Sequence, residues 1–298
     1  MQHGWLNLNK PEEMTSAKAV SIVKRLLGVK KVGHTGTLDP LACGVLPLAI
    51  GEATKLSQYV MADRKNYRFR VEWGKQTGTD DREGEVIAQS DNRPTLAQVQ
   101  AILSEFTGEI MQRPPDFSAI KVAGERSYKK AREGKKVDLP ARPVTVYELH
   151  VEESSANEVT FTVICGKGTY VRSLARDMGE KLGCYGYVTF LQRSSVGIFD
   201  LKSAVSLDLV EEGQYALPLD FGLMSIDEPL DDILALRFKP DQLYRLNQGQ
   251  SASPLAAARE FRDETVLRCY NAITGEFAAL GRPSGSLVKP TRVFNLGN

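Results

Sequence analysis

A run with strict alternation, KNYRFRVEW at positions 65–73, constrains the fold of this chain more than any other feature. Large apolar residues occupy every second position of the run, and mostly charged residues lie between them. Successive side chains of a β-strand point to opposite faces, so this period of two predicts a strand with one buried face. The predicted buried face consists of Tyr67, Phe69, Val71 and Trp73, and it must pack against a second layer of the protein.

Other segments have the apolar spacing of amphipathic helices, with three or four residues between apolar positions. We predict helices at 16–27, capped by Thr15 or Ser16 and ended by Gly28, and further helices at 52–62, 95–106, 169–183 and 206–214.

Strands are predicted at 5–10, 144–153, 158–165 and 187–199, in addition to 65–73. The segment 33–51 is interrupted by four glycines and two prolines, which predict a buried segment that is mostly loop. Strands and helices follow each other without a repeated βαβ rhythm. We therefore expect an α/β protein of the α+β class, with a mixed, mainly antiparallel sheet.

The length of 298 residues predicts two domains, because single hydrophobic cores stop growing near this size. From about residue 233 the chain has short alternating runs separated by turn residues, which is typical of a small β-barrel. We expect a larger domain at 1–230 and a smaller one at 231–298.

Several classes of protein are not favoured by the sequence. The first residues lack the apolar core and cleavage site of a signal peptide, and the apolar stretch 41–50 is too short to span a bilayer. We therefore expect a cytoplasmic protein. The four cysteines form no C-x-x-C pair and are predicted to be free thiols.

The sequence also lacks the common motifs for metals and nucleotides. Its three histidines, His3, His34 and His150, are not clustered with the cysteines, so we expect no metal site. GKGT at 166–169 lacks the earlier glycine of a P-loop, and no G-x-G-x-x-G or G-x-S-x-G motif occurs.

Positive charge is concentrated in one segment. The net charge of the chain is +1, but residues 121–142 carry eight basic residues against three acidic ones. Such a segment either binds a phosphate-bearing partner or is a solvated surface loop. The charge pattern alone does not separate these two interpretations.

The loop GHTGTLDPLACG at 33–44 is the candidate for chemistry, because two glycines and a proline fix the backbone around Asp39. An Asp before Pro also commonly just begins a turn. A second chemical interpretation makes Cys43 a nucleophile with His34 as its base, although no third group is evident to orient the pair.

At this point a resemblance becomes informative. GHTGTLDPLACGVLPLAIGEATK resembles the signature motif of the bacterial TruB family of tRNA pseudouridine synthases. The similarity continues through KNYRFRVEWGKQTGTDDREGEV, RPPDFSAIKVAGERSYKKAREG, CGKGTYVRSLARDMGEKLG and LVKPTRVF, and so spans nearly the whole chain. It differs from the family pattern in Cys43, where a smaller or hydroxyl residue is expected, and in the less basic run after Arg193.

The resemblance implies a role for several residues. The nucleophile of the family falls on Asp39, its active-site tyrosine on Tyr67, and its aspartate-pairing arginine on Arg172. Contacts with the substrate are implied for five further residues, which are His34, Lys10, Leu191, Lys129 and Lys130.

These residue types suit the conversion of uridine to pseudouridine. The N-glycosidic bond breaks and the base is reattached through C5, without redox change, so no cofactor is expected. We expect Arg172 to keep Asp39 ionised through a planar two-point pair. Tyr67 offers a ring to stack on the uracil and a hydroxyl near C5.

The resemblance further implies a pseudouridine synthase core, a C-terminal PUA-like barrel and uridine 55 in the T-loop of tRNA as the target. The basic segment would then be an RNA clamp, with the barrel on the acceptor stem, in a monomer that needs no protein partner. Two alternatives remain open: a guide-RNA-dependent pseudouridine synthase, and a catalytically silent RNA-binding protein of the same fold.

Overall fold

The structure is a computed structural model, and it describes residues 3–60, 64–118, 120–122, 125–127, 139–211, 214–218, 221–255, 262 and 264–296. The helices are α1 Ser16–Leu26, α2 Leu96–Ile102, α3 Val171–Lys181 and α4 Pro240–Asn247, with short 3-10 helices at Gly51–Leu56, Leu103–Phe106 and Glu228–Leu230. Within these ranges, no helix has both the length and the apolar character that crossing a membrane requires.

The strands of the first part of the chain are β1 Gly4–Lys10, β2 Val32–His34, β3 Cys43–Ile50, β4 Lys65–Trp73, β5 Lys75–Thr77, β6 Val86–Gln89, β7 Gly108–Gln112, β8 Lys121–Val122, β9 Glu125–Arg126, β10 Arg142–Ser154, β11 Glu158–Cys165, β12 Gly186–Val196, β13 Phe199–Asp200, β14 Val205–Ser206, β15 Asp208–Glu211 and β16 Gln214–Ala216. The remaining strands are β17 Ala235–Phe238, β18 Leu267–Asn271, β19 Phe277–Ser284 and β20 Leu287–Val293.

A ten-stranded sheet dominates the described residues, and eight of its strands follow the order β14-β1-β3-β12-β4-β11-β10-β7. The other two strands lie off this path, where β2 pairs with β3 and β13 pairs with β12. Only the β1–β14 and β3–β12 pairs of this sheet are parallel, and the other pairs are antiparallel. The predicted fold class, a mixed and mainly antiparallel α+β sheet, is confirmed.

The alternating run 65–73 forms the central strand β4, between β12 and β11. Phe69, Val71 and Trp73 are fully or almost fully buried, and Tyr67 packs against the same core. Helix α3 supplies Leu174 and further apolar side chains to this core. The alternation therefore predicted both the strand and its buried face correctly.

The prediction for segment 33–51 was only partly correct. Residues 35–42 are a loop, but β3 pairs with β1 along its whole length, from Gly4 opposite Ile50 to Lys10 opposite Gly44. Gly44 and Pro47 lie inside this strand, and they hid it from the sequence analysis. Glycine is needed at position 44 because φ there is +99° and the backbone of Arg193 lies too close for a side chain.

The helix predicted at 206–214 is wrong. This segment contributes β15, which forms a two-stranded antiparallel ribbon with β16. Its local spacing of apolar residues fits a helix or a strand equally, and the pairing with 214–216 decides between them.

The C-terminal part contains a separate sheet with the order β17-β18-β19-β20, together with α4, which the sequence analysis missed. Its Phe277, Leu280 and Phe294 share a core cluster with Trp5 and Phe199 of the first part. Trp5 also donates an indole hydrogen bond of 2.9 Å to the carbonyl of Ile226. The two parts are thus packed together, while the domain boundary near residue 230 and the closed barrel stay predictions.

Gly44 generates a stability prediction. A Cβ at this position would lie 2.3 Å from the carbonyl oxygen of Arg193, and the positive φ adds strain for any other residue. We expect Gly44→Ala to lower the free energy of unfolding by about 3 kcal/mol. Gly33→Ala is the matched control, because its Cβ would meet nothing within 4 Å. Equal unfolding curves for the two variants would contradict this account of β3.

Candidate active site

Asp39 and Arg172 line a cavity of about 160 Å³ together with Tyr67 and Leu191. Cavities of about 150 Å³ accommodate one benzene ring, so this one fits a single six-membered ring. Its remaining walls are Thr37, Leu38, Ser118, Thr169, Tyr170 and Val171. The cavity therefore combines an apolar slot with a carboxylate and several hydroxyl groups.

Arg172 lines the cavity and contacts Asp39 there. Its side chain is 4% exposed, and its Nε lies 2.9 Å from Oδ2 of Asp39, which is 35% exposed. The Nε–H bond is not directed at that oxygen, so the contact is an ion pair rather than a linear hydrogen bond. The partly exposed carboxylate of Asp39 is thus held at the cavity while remaining accessible.

The two-point pair expected between Arg172 and Asp39 is not formed. The other guanidinium nitrogens of Arg172 donate to the carbonyls of Thr79, at 2.8 Å, and Phe117, at 3.0 Å. Nη1 also lies 3.3 Å from a carboxylate oxygen of Asp81, whose side chain is 3% exposed. Arg172 therefore joins Asp39 to two partly buried backbone segments and a second carboxylate.

The second carboxylate belongs to a buried polar layer that the sequence analysis missed. Burial raises the pKa of the Asp81 carboxyl, and Arg172 and the Thr79 hydroxyl oppose this shift. Next to it, Arg176 contacts Asp80 at 3.0 Å, and burial raises the pKa of Asp80 to about 6. The only sequence signal was the pair of aspartates in GTDDREG at 78–84, which looks like an exposed turn.

The loop that carries Asp39 is fixed by buried polar side chains on three sides. The Ser16 hydroxyl accepts from the N–H of Leu38 at 2.9 Å and donates to its carbonyl at 3.0 Å. From β12, Arg193 donates to the carbonyls of Gly36, at 3.1 Å, and Val45, at 2.7 Å. Ser16 and Arg193 were not identified as site residues from the sequence, because their function here is to hold backbone.

Lys10 completes this support. It is fully buried, and its Nζ donates to the carbonyls of Met14 at 2.6 Å, Pro11 at 2.8 Å and Pro40 at 3.3 Å. Lys10 is not among the residues that line the cavity. It supports the loop after Asp39, and its predicted contact with the substrate stays a prediction.

Tyr67 lies on β4 directly opposite Arg193 of β12. Burial raises the pKa of the Tyr67 phenol, and the positive charge of Arg193 opposes the shift. The hydroxyl is therefore protonated near neutral pH, and Tyr67 lines the same cavity as Leu191.

The pairing of Cys43 with His34 is contradicted by the structure. His34 lies opposite Leu48, five positions along β3 from Cys43, which corresponds to about 16 Å. Burial raises the pKa of the Cys43 thiol, so this thiol is a poor nucleophile at neutral pH.

His34 borders the loop but does not line the cavity. Burial and the charge of Arg193 lower the pKa of its imidazole, so His34 is neutral near pH 7. Among the described residues no group accepts or donates a hydrogen bond at its buried Nδ1. Its predicted contact with the substrate stays a prediction.

Two predicted contact residues, Lys129 and Lys130, lie outside the described residues, as does most of the basic segment. Only its ends are described, including the short antiparallel pair β8 and β9. In the described ranges, no group of three His, Cys, Asp or Glu side chains is arranged to hold a metal ion.

Two family models match the chain, and together they cover most of it. The model described as "TruB family pseudouridylate synthase (N terminal domain)" matches residues 24–171. The model described as "tRNA pseudouridylate synthase B C-terminal domain" matches residues 172–234. The residues that line the cavity fall within these two matches.

Curated relatives are similar over nearly the whole chain. A protein of Nitrobacter winogradskyi named tRNA pseudouridine synthase B is 44% identical over 304 residues, which cover 99% of this chain and 83% of the relative. A protein of Caulobacter vibrioides with the same name is 44% identical over 302 residues, which cover 98% of this chain and 96% of the relative.

Solved structures share the fold at lower identity. One chain from a Cbf5-Nop10-Gar1 complex is 25% identical, has a TM-score of 0.69, and matches over 98% of this chain and 85% of its own length. A chain from an archaeal box H/ACA sRNP Nop10-Cbf5 complex is 24% identical, has a TM-score of 0.69, and matches over 99% and 86%.

Lys10 generates a prediction about pH. Burial lowers its pKa from 10.5 to about 8. Between these values the unfolded chain holds a proton that the folded chain has lost, so the contribution of Lys10 to stability rises with pH, by up to about 1.4 kcal/mol per pH unit. We expect the difference in unfolding free energy between wild type and Lys10→Met to be constant below pH 7 and to grow in favour of wild type above about pH 8.

The measurement is chemical denaturation across this pH range, with Lys18→Met as the control. Lys18 is exposed on α1, so its removal should give a curve parallel to wild type. A Lys10→Met curve that is also parallel to wild type would show that Lys10 does not titrate differently in the folded state.

Proposed function

The chain belongs to the TruB family of pseudouridylate synthases, and from this premise we propose that it isomerises uridine 55 in the T-loop of tRNA to pseudouridine with Asp39 as the nucleophile. The observation that carries this proposal is the cavity of about 160 Å³, in which the carboxylate of Asp39 faces space for one ring. Tyr67 and Leu191 both line that space, and the ring of Tyr67 offers a face on which a flat base can stack.

Asp39 acts on the sugar, and Arg172 positions Asp39. The N-glycosidic bond breaks with its electron pair on the base, and the carboxylate of Asp39 attacks the substrate or stabilises the positive charge that develops. Arg172 keeps this carboxylate in place, and because Thr79 and Phe117 hold the guanidinium, Asp39 does not need to reorganise during the reaction.

Tyr67 and Leu191 hold the uracil while it turns and is rejoined to the sugar through C5. The C5 proton must then leave, and N1 takes up a proton, so the overall reaction is an isomerisation without a cofactor. Because the pKa of Tyr67 is raised, its hydroxyl acts as a phenol that relays the C5 proton rather than as a resting phenolate.

The RNA must deliver its target as an unstacked base, at a cost of about a few kcal/mol. We propose that His34, neutral and beside the Asp39 loop, fills part of the space that the base leaves. Lys129, Lys130 and the rest of the basic segment would bind phosphates, which position RNA without selecting a base.

The proposal also assigns separate functions to the two parts of the chain. Residues 1–230 would catalyse the reaction, and the PUA-like residues 231–298 would bind the acceptor stem. An open cavity of about 670 Å³ in the C-terminal part, lined by Tyr244, Asn247 and Asn271 among others, supports such a contact. We propose that the enzyme acts in the cytoplasm as a monomer.

A guide-RNA-dependent synthase is the main alternative, since the matching solved structures contain Cbf5 with protein partners. Two observations favour direct action on tRNA. The relatives named tRNA pseudouridine synthase B are 44% identical, against 25% for the Cbf5 chain. The stretch between Ser118 and Arg142 is also long, as expected for a stand-alone enzyme with a clamp.

The proposal predicts the effect of Asp39→Asn. The amide preserves the shape of the side chain but is not a nucleophile, so turnover should fall by about 10³-fold or more while tRNA affinity stays within about tenfold. The measurement is release of tritium from tRNA that carries [5-³H]uridine, with chemical mapping of pseudouridine. Asp91→Asn, an exposed control, should behave as wild type. Substantial product from Asp39→Asn would refute the assignment of the nucleophile.

A further inference from the structure

A buried hydroxyl in the cavity wall has no partner within the protein. Ser118 is 3% exposed, and among the described residues nothing forms a hydrogen bond with its Oγ. It lines the same cavity as Asp39 and Tyr67. The mechanism above assigns no role to this hydroxyl.

The backbone around Ser118 is fixed. The preceding residue, Phe117, accepts a hydrogen bond of 3.0 Å from Arg172 through its carbonyl. One residue further back, the carbonyl of Asp116 accepts a short hydrogen bond from the hydroxyl of Ser127, which is fully buried. Ser118 is therefore held at a defined place beside the Arg172 and Asp39 pair.

A buried hydroxyl without a partner destabilises a protein, and nearly all such groups are paired. The guanidinium of Arg172 is engaged with Asp39, whereas the Thr169 hydroxyl in the same cavity wall also lacks a hydrogen-bond partner among the described residues. The Ser118 hydroxyl is left to whatever molecule enters the cavity. A ring that presents a polar atom at this wall binds better than an apolar ring of the same size.

We propose that the Ser118 hydroxyl binds the flipped uracil by donating a hydrogen bond to one of its exocyclic carbonyl oxygens. This proposal rests on the proposed function, because that function supplies the ring. Ser118 is then a binding residue that fixes the base within the cavity that Tyr67 and Leu191 also line.

The symmetry of uracil allows the same hydroxyl to bind the base before and after the base turns. A half-turn about the axis through N3 and C6 exchanges N1 with C5, which the isomerisation requires, and it also exchanges O2 with O4. A fixed donor at the wall therefore meets a carbonyl oxygen before and after the turn. Ser118 can hold the base in either orientation without moving.

The test compares wild type and Ser118→Ala on three tRNAs, in which the target nucleotide is uridine, 2-thiouridine or 4-thiouridine. Sulfur is a weak acceptor. On uridine, Ser118→Ala should lower kcat/KM about tenfold, which corresponds to about 1.4 kcal/mol. Replacing the bonded oxygen by sulfur should slow wild type more than it slows Ser118→Ala, for at least one of the two thio substrates.

The ratio of rates on two substrates does not depend on how much of a variant is folded, so this comparison holds even if Ser118→Ala is less stable. Ser127→Ala is the matched control, because it loosens the same segment from outside the cavity. It should reduce the rates on all three tRNAs by one common factor. Sulfur effects that are equal in wild type and Ser118→Ala, or a Ser118→Ala rate equal to wild type on uridine, would overturn the proposal. Absence of pseudouridine with wild type would instead refute the proposed function.

Discussion

The ion pair between Arg172 and Asp39 is the interaction on which the site depends. A buried guanidinium is costly unless charges and hydrogen bonds compensate it. Here two carboxylates, Asp39 and Asp81, and the carbonyls of Thr79 and Phe117 surround it. Since these partners come from three separate segments, the cavity forms only when the Asp39 loop, the turn after β5 and the segment after β7 are all in place around helix α3. The chemistry is thus linked directly to the completed fold.

The same principle explains why a loop rich in glycine holds its shape. Ser16, Lys10 and Arg193 are buried, and their polar atoms bind the backbone of the Asp39 loop or of β3. Each leaves unpaired carbonyl or N–H groups when removed, which is expensive in a buried position. Among the described residues of the cavity, the Asp39 carboxylate and the hydroxyls of Ser118 and Thr169 remain available to a ligand. The protein therefore has a preformed site, which suits catalysis by fixed charges.

The spacing of apolar residues correctly predicted those elements whose structure depends mainly on neighbouring residues in the sequence. Period-two alternation gave β4 with its buried face, and apolar spacing gave α1 and α3. Where a position depends on distant pairing, the prediction was incomplete: β3 contains Gly44 and Pro47 yet lies inside the sheet, and β15 pairs with β16 although its spacing fits a helix. The resemblance placed Asp39, Tyr67, Arg172 and Leu191 around one cavity. It did not indicate Asp81, Arg193 or Ser118. The importance of Asp81 and Arg193 comes from their buried contacts, and that of Ser118 from a buried hydroxyl without a partner, and both appear only in three dimensions.

The most direct test of the central claim is the single-turnover rate of Arg172→Lys on unmodified tRNA. Lysine keeps the charge, but it cannot contact Asp39 while also binding the carbonyls of Thr79 and Phe117. Arg82→Lys, which changes an exposed arginine paired with Glu12, is the control. We predict that the rate of Arg172→Lys falls by at least about 100-fold with tRNA affinity within about tenfold, while the control behaves as wild type. A wild-type rate in Arg172→Lys would contradict the claim that this guanidinium fixes Asp39 for catalysis.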